Sequence, residues 1–257
     1  MIWIETQPTF VIGVLVFGFC YLLTTVILCV ALMLSRRAVA RRLQTIAPTT
    51  LTPLGVILGL LIAFLAARVW TNLDHANQYV GQEAGALREA ILLTDSLPAD
   101  VRTGVRQAIQ RHLDFIESEE WPAMASGRAT LESIAVGLAE AMSALLSFSP
   151  VQANQKLAQQ RALVAIEQAL EARRNRVLLS QAEIAPIQWA VILVLATLIL
   201  VTIALLHIDR RLAMGVTLFI FSTAIAICLV LLAVYDRPFG AGGFTVMPTV
   251  LRAVVPN

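Results

Sequence analysis

The side chains most able to do chemistry in this sequence are few and scattered. The three histidines are too far apart to form a helical metal motif; they are His75, His112 and His207. The three cysteines fall inside apolar runs; they are Cys20, Cys29 and Cys228. The sequence holds no phosphate-binding loop and no G-x-S-x-G nucleophile motif. We therefore predict no enzyme activity, no metal site and no cofactor, and we expect each histidine at the surface or at a helix interface.

A second pattern could act on ions instead of covalent bonds. Small residues recur at every fourth position of one apolar run, at Gly55, Gly59, Ala63 and Ala67. This small-residue face either lets another helix pack closely or lines a narrow pore when several copies surround one axis. The next polar residues, Arg68, Asn72 and His75, would then line a vestibule in which Arg68 favours anions. Alternatively, Arg68 reaches the membrane interface and the other two face water.

Charged residues are missing from the middle of the apolar runs. An ionisable group there costs at least about 3 kcal/mol and usually marks a coupled ion or proton pathway. Their absence argues against a proton-driven transporter.

Basic residues do not cluster with aromatic ones, so nucleic acid is not an expected partner.

The elements that carry these residues are membrane-spanning helices. The composition, 58% hydrophobic and 14% charged, is too apolar for a soluble domain of this size. The excess lies in uncharged runs of about 19 to 25 residues, long enough to cross a hydrocarbon core of about 30 Å. We predict four spans, over 10–34, 49–70, 187–206 and 212–234, with a C-terminal tail over 236–257.

Helical periodicity continues between the second and third spans, over 71–185. The second helix should extend well beyond Arg68, because apolar residues recur at helical spacing as far as Ile91. Further helices are predicted from Pro98 to about Trp121, from after Gly127 to Ser149 with Leu131 and Ile134 on the buried face, and over 152–179. The predicted fold is all-α, with a four-helix transmembrane part and an inserted antiparallel helical bundle.

Arginines mark two short turns, after the first span and after the third. Arg36, Arg37, Arg41 and Arg42 lie in the first turn, and Arg210 and Arg211 in the second. The positive-inside rule assigns both turns to the cytoplasm. It predicts that both termini and the inserted helical domain are extracytoplasmic.

Short motifs in a fixed order resemble those of a bacterial membrane protein family described as bestrophin-like and catalogued as a domain of unknown function. They cover nearly the whole chain and comprise Glu83 with Ala84, Leu97 with Pro98, Glu120 with Trp121, and the closing stretch Asp236, Arg237, Pro238, Phe239 and Gly240. From the residues alone, Glu83 and Glu120 are interpreted as helix caps or as buried partners of arginines.

The resemblance implies a homo-oligomer, with five copies as the implied number, that conducts small inorganic anions across the bacterial inner membrane past the second helix. It also implies a cytosolic helical domain, whereas the arginines predict export, and both orientations stay open. The alternative function is a non-conducting structural or sensory membrane module that acts through a partner protein. Under either function, the expected environment of the protein is a lipid bilayer.

Overall fold

The computed structural model describes residues 9–34, 47–131, 135–240 and 245–255, and these ranges contain helices but no strand. The helices are α1 (Thr9–Leu34), α2 (Ala47–Thr94), α3 (Ala99–Phe115), a π-helical turn (Ile116–Glu120), α4 (Trp121–Ala125), α5 (Val136–Ser147), α6 (Ala153–Ser180), α7 (Pro186–Leu206), α8 (Arg211–Tyr235) and α9 (Thr249–Arg252). The predicted all-α class is confirmed.

The chain divides into two compact units. The membrane unit contains the described residues of 9–70 and 183–236, and the inserted unit contains those of 71–182 and 237–255. The tail after the fourth span therefore belongs to the compact inserted unit and is not a separate segment.

Four helices, α1, α2, α7 and α8, are long and apolar enough to cross a membrane, as predicted. Within the membrane unit, α8 packs against α1 and α7. The core between them is almost entirely aliphatic, with Ile192, Ile203, Met214 and Leu218 fully buried. The outward faces keep large apolar side chains exposed, as lipid-facing helices require.

Helix α2 is longer than the span it contains. It has 48 residues, about 72 Å at 1.5 Å per residue, so the predicted continuation past Arg68 is confirmed. In the membrane unit it buries Leu58, Leu65 and Val69, and in the inserted unit it buries Ala76, Glu83 and other residues of the same periodicity.

The connection before α5 differs from the predicted helix. The third inserted helix was expected directly after Gly127 with Leu131 buried, but α5 begins at Val136 and Leu131 is exposed. Gly127 has φ +67°, which ends α4, and the carbonyl of Ala129 accepts a hydrogen bond from the Gln181 side chain at 2.7 Å. The described backbone over 128–131 is not helical, and the predicted buried Ile134 lies outside the described residues.

The preceding helical stretch also differs in its end. It was predicted to stop near Trp121 and Pro122, whereas a π-helical turn follows α3 and α4 continues the path to Ala125. The π-helical turn places Ile116 and Glu120 on the buried side.

The buried side of α6 is built mainly from alanines. We predicted a seam of Leu163, Ile166, Leu170 and Val177; Ile166 and Val177 are buried, but Leu163 and Leu170 lie at its edge. Five of the ten buried residues of α6 are alanines at helical spacing, at Ala158, Ala162, Ala165, Ala169 and Ala172. Such small residues let neighbouring helices approach α6 closely.

Gly137 brings α5 into backbone contact with α3. A Cβ atom at this position would lie 2.5 Å from the Ala108 carbonyl oxygen and 2.7 Å from the His112 nitrogen. Only glycine fits between these backbone atoms, so the spacing of the two helices depends on it.

Candidate pore helix and buried charge cluster

The small-residue face of α2 is uncovered within its own unit. Gly55, Gly59, Ala63 and Ala67 are all exposed. A Cβ atom added at Gly55 or Gly59 would meet no other atom within 4 Å. Of the four apolar helices, α2 also has the smallest buried share, 17% against 39% in α7. Among the described residues, packing against other helices thus does not account for Gly55 and Gly59.

An open apolar groove of about 400 Å³ runs beside this face. Gly55 and Gly59 line one wall, and Ile199 of α7 and Phe221 of α8 line the other. The groove carries no charged side chain, which suits hydrocarbon or another helix.

The polar residues that follow the face have different surroundings. Arg68 is exposed and donates from Nη1 to Gln188 and from Nη2 to the carbonyl oxygen of Glu183, both at 3.4 Å. Asn72 is half-buried, and His75 is exposed and stacks on Tyr79 with ring centroids 5.8 Å apart. Since an α-helix turns about 100° per residue, Arg68, Asn72 and His75 point nearly opposite to the small-residue face. The two sets therefore cannot form one continuous lining on a straight helix.

Asp236 holds the same segment of the membrane unit as Arg68 does. Its Oδ1 accepts a hydrogen bond from the backbone N–H of Ile184 at 2.8 Å, and it is 3% exposed. Arg68 and Asp236 thus both fix the residues that lead into α7, where Pro186 occupies the first turn.

Five ionisable side chains form a buried charge cluster in the inserted unit: Glu83, His112, Glu120, Arg173 and Arg176. Arg176 lies at the centre, fully buried. Its Nε donates to Glu83 Oε2 at 2.8 Å, and its Nη2 donates to Glu83 Oε1 at 3.2 Å and to Glu120 Oε1 at 2.7 Å. Arg173 donates from Nε to Glu120 Oε2 at 2.6 Å. Both glutamates are therefore bound to arginines.

The pairing decides which members of the cluster are charged. Burial alone would raise the pKa of Glu83, but the Arg176 charge and the hydrogen bonds from His112 and Arg176 hold that pKa below its usual value. Burial would lower the pKa of Arg176, but Glu83 and Glu120 raise it instead. Glu83 and Arg176 are thus ionised inside an apolar core.

Two further residues complete the surroundings of Arg176. The ring centroid of Trp121 lies 5.5 Å from its Cζ, and Met124 Sδ accepts from its Nη1 at 3.3 Å. Phe239 meets Trp121 edge to face, with centroids 5.5 Å apart. The Trp121 ring therefore contacts both the Arg176 guanidinium and the Phe239 ring.

The other residues of the closing stretch make turns and a close contact. The Arg237 guanidinium lies against Gly127, and a Cβ atom there would be 3.1 Å from its Nη1. The carbonyl of Pro238 accepts from the Val246 N–H at 2.9 Å, and the Gly240 N–H donates to the Arg237 carbonyl at 3.2 Å. These hydrogen bonds close a turn at Gly240 and join Pro238 to Val246, which precedes α9.

A family model for the Bestrophin-like domain matches residues 18–251. The chain belongs to the Bestrophin-like family. The match spans the four apolar helices and the inserted unit, so this family membership covers both the small-residue face and the buried charge cluster. The expected family resemblance is confirmed.

Solved bestrophin structures share the fold. A single-substitution variant of a bacterial Bestrophin homologue from Klebsiella pneumoniae matches with a TM-score of 0.67 at 11% identity, covering 93% of this chain and 96% of that chain. A second variant of that homologue gives 0.67 at 12% identity, with 93% of each chain covered. A structure described as a membrane protein gives 0.67 at 13% identity, covering 93% and 95%. No curated protein sequence matches the chain.

Four of the motif residues that carried the resemblance converge around one arginine. Glu83, Glu120 and Trp121 contact Arg176, and Phe239 contacts Trp121. Arg173, Arg176 and Met124 were not predicted from the sequence. His112 was expected at the surface or at a helix interface, and it lies at an interface, 1% exposed, where it bonds to Glu83 of α2. The missed signal is periodicity, because Arg173 and Arg176 continue the alanine spacing of α6.

Proposed function

We propose that copies of this membrane protein assemble around α2 and form a passive anion channel of bestrophin-like type. The observation that carries the proposal is the small-residue face, which is exposed and has open space beside Gly55 and Gly59 among the described residues. Glycine inside a helix costs about 1 kcal/mol relative to alanine. Two such residues one turn apart are explained if other copies, or a conduction path, occupy the space beside them.

A pore lined by this face would discriminate ions by its width and by exposed backbone dipoles, since the face carries no charge. Arg68 follows directly and is the cation nearest to it on α2. Because Arg68 points nearly opposite to the small-residue face, we place its side chain at the mouth of the pore or against a neighbouring copy, not in the narrow part of the pore. Passive conduction agrees with apolar runs that hold no acidic residue or lysine.

Chloride flux through purified protein in liposomes tests the proposal. The wild type should release chloride, and Gly59→Leu should block release because a leucine would fill the narrow face. Gly18→Leu is the matched control: Gly18 is also an exposed helical glycine with open space around it, but it lies on α1. This control should conduct as the wild type does.

For each purified variant, the number of copies is measured by light scattering in detergent before the protein is placed in liposomes. Loss of flux with an intact oligomer supports the pore, and loss of both makes the small-residue face a packing surface. A wild type that conducts no anion overturns the proposal in favour of a non-conducting structural or sensory module. Arg68→Glu should lower the preference for chloride over potassium if Arg68 stands at the mouth.

We further propose that the protein lies in a bacterial inner membrane with its inserted unit on the extracytoplasmic side, on the strength of the arginine-bearing turns. Ser96→Cys in a variant without native cysteines places one thiol on an exposed residue of the inserted unit. A membrane-impermeant maleimide should label it in intact cells, whereas a cysteine at Asp209, in the turn between α7 and α8, should react only after lysis. The reverse pattern would establish a cytosolic inserted unit.

A further inference from the structure

His112 is fully buried, and its two ring nitrogens have different surroundings. Nε2 lies 3.1 Å from Oε1 of Glu83, whereas Nδ1 is buried without a hydrogen-bond partner among the described residues. Glu83 is held as a carboxylate by Arg176, so it can only accept hydrogen bonds. Nε2 must therefore carry the proton that is donated to Glu83, and Nδ1 is the ring nitrogen at which a proton is gained or lost.

One oxygen of Glu83 serves two donors. Oε1 accepts from Nε2 of His112 at 3.1 Å and from Nη2 of Arg176 at 3.2 Å, while Oε2 takes the shorter bond, 2.8 Å, from Nε of Arg176. Protonation of His112 would turn Nε2–H into a charged donor, and charge-assisted hydrogen bonds are about twice as strong as neutral ones. The imidazolium would then compete with Arg176 for Oε1.

The charges around His112 make this competition matter. The ring contacts Glu83 on α2, and Glu83 is paired with Arg176 on α6. Glu120 on the π-helical turn is paired with Arg176 and with Arg173, so the formal charges of these four groups sum to zero. A proton on His112 would add one positive charge to this low-dielectric group.

The ionisable pair next to His112 in the chain lies at the surface, and α5 packs closely against the Cβ of His112. Arg111 of α3 pairs with Glu140 of α5, and both are exposed. On the side of α5, a Cβ atom at Gly137 would lie only 2.8 Å from the Cβ of His112. We therefore expect a change in the charge of His112 to act through its hydrogen bond to Glu83.

We propose that His112 is a proton sensor of the inserted unit, whose protonation draws Oε1 of Glu83 towards the ring and shifts Arg176 against Trp121. The sensor does not require that the chain conducts ions. It converts a charge change on α3 into a movement between α6 and α4, because the Arg176 guanidinium contacts both Glu83 and the Trp121 ring.

The fluorescence of Trp121 reports this movement directly. The full chain is purified in detergent with Trp3, Trp70 and Trp189 replaced by phenylalanine, and the emission is followed over the range in which histidines change charge, roughly pH 5 to 8. We expect one sigmoidal transition. His112→Gln, which keeps an N–H donor for Glu83 but cannot titrate, should abolish it, whereas His207→Gln should leave it unchanged.

A transition that persists in His112→Gln, or a flat emission in the protein that retains His112, overturns the sensor. If the triple phenylalanine variant does not fold, the difference between wild-type and Trp121→Phe spectra at each pH isolates the same signal. That difference must be pH-dependent with His112 present and pH-independent in the His112→Gln background.

Discussion

The membrane unit and the inserted unit bury different kinds of side chain. In the membrane unit the buried core is aliphatic, and the buried polar groups of the described spans are hydroxyls such as Thr24, Thr202 and Ser222. In the inserted unit two arginines and two glutamates are enclosed together. The first unit is specified by the shape of its apolar surfaces. The second is specified by a pairing that tolerates no missing partner.

The largest effect should come from removing the central cation. Arg176→Met leaves Glu83 and Glu120 in the core without their shared partner, and breaking a buried ion pair costs about 3–5 kcal/mol. Chemical unfolding in detergent, followed by proteolysis of the inserted unit, measures the loss. Arg161→Met on the exposed side of α6 is the control and should change stability little. Equal stability of the two variants would contradict the assignment of the cluster as the core of this unit.

Acid should weaken the same cluster. Since the pKa of Glu83 is lowered in the folded protein, its contribution to stability is fully present above the unfolded value, about pH 4.3, and is lost as the pH falls towards the folded pKa. The free energy of unfolding should therefore decline below about pH 4.3. Glu83→Gln, although less stable near neutral pH, should show a shallower decline; an equally steep one would assign the acid sensitivity to other carboxyl groups.

Sequence patterns predicted the spans more completely than the cluster, for a physical reason. Uncharged runs such as Phe10–Leu34 are so long that they predict one structure only, a helix that crosses a membrane. The position of Arg176 depends on four elements meeting, which no local pattern encodes, although Glu83 and Glu120 were candidate partners of arginines. The start of α5 was predicted too early, because the periodicity of Leu131 and Leu138 is local whereas the hydrogen bond between Ala129 and Gln181 is not.

A smaller effect should follow from the contact between α3 and α5. Gly137→Ala forces a methyl group against the Ala108 carbonyl and the His112 nitrogen, and overpacking of this kind costs about 1–3 kcal/mol. Gly104→Ala is the matched control on α3, where the nearest atom to an added Cβ is 4.0 Å away. It should stabilise the unit by up to about 1 kcal/mol through helix propensity. Opposite signs in thermal unfolding would confirm the close approach, and two gains would refute it.

The smallest effect should come from a hydrogen bond within the membrane unit. The Tyr21 hydroxyl lies 3.0 Å from Thr223 Oγ1, joining α1 to α8, but Thr223 also bonds to the Phe219 carbonyl of its own helix. Tyr21→Phe should therefore cost only about 0.6 kcal/mol, the average for such bonds between membrane helices. Tyr21→Leu should cost more, because it also removes the ring contacts with Phe17 and Phe219. Thermal unfolding in detergent measures the loss of stability in each variant. If Tyr21→Phe loses as much stability as Arg176→Met, polar pairing specifies both units, and the difference between the two units described above is refuted.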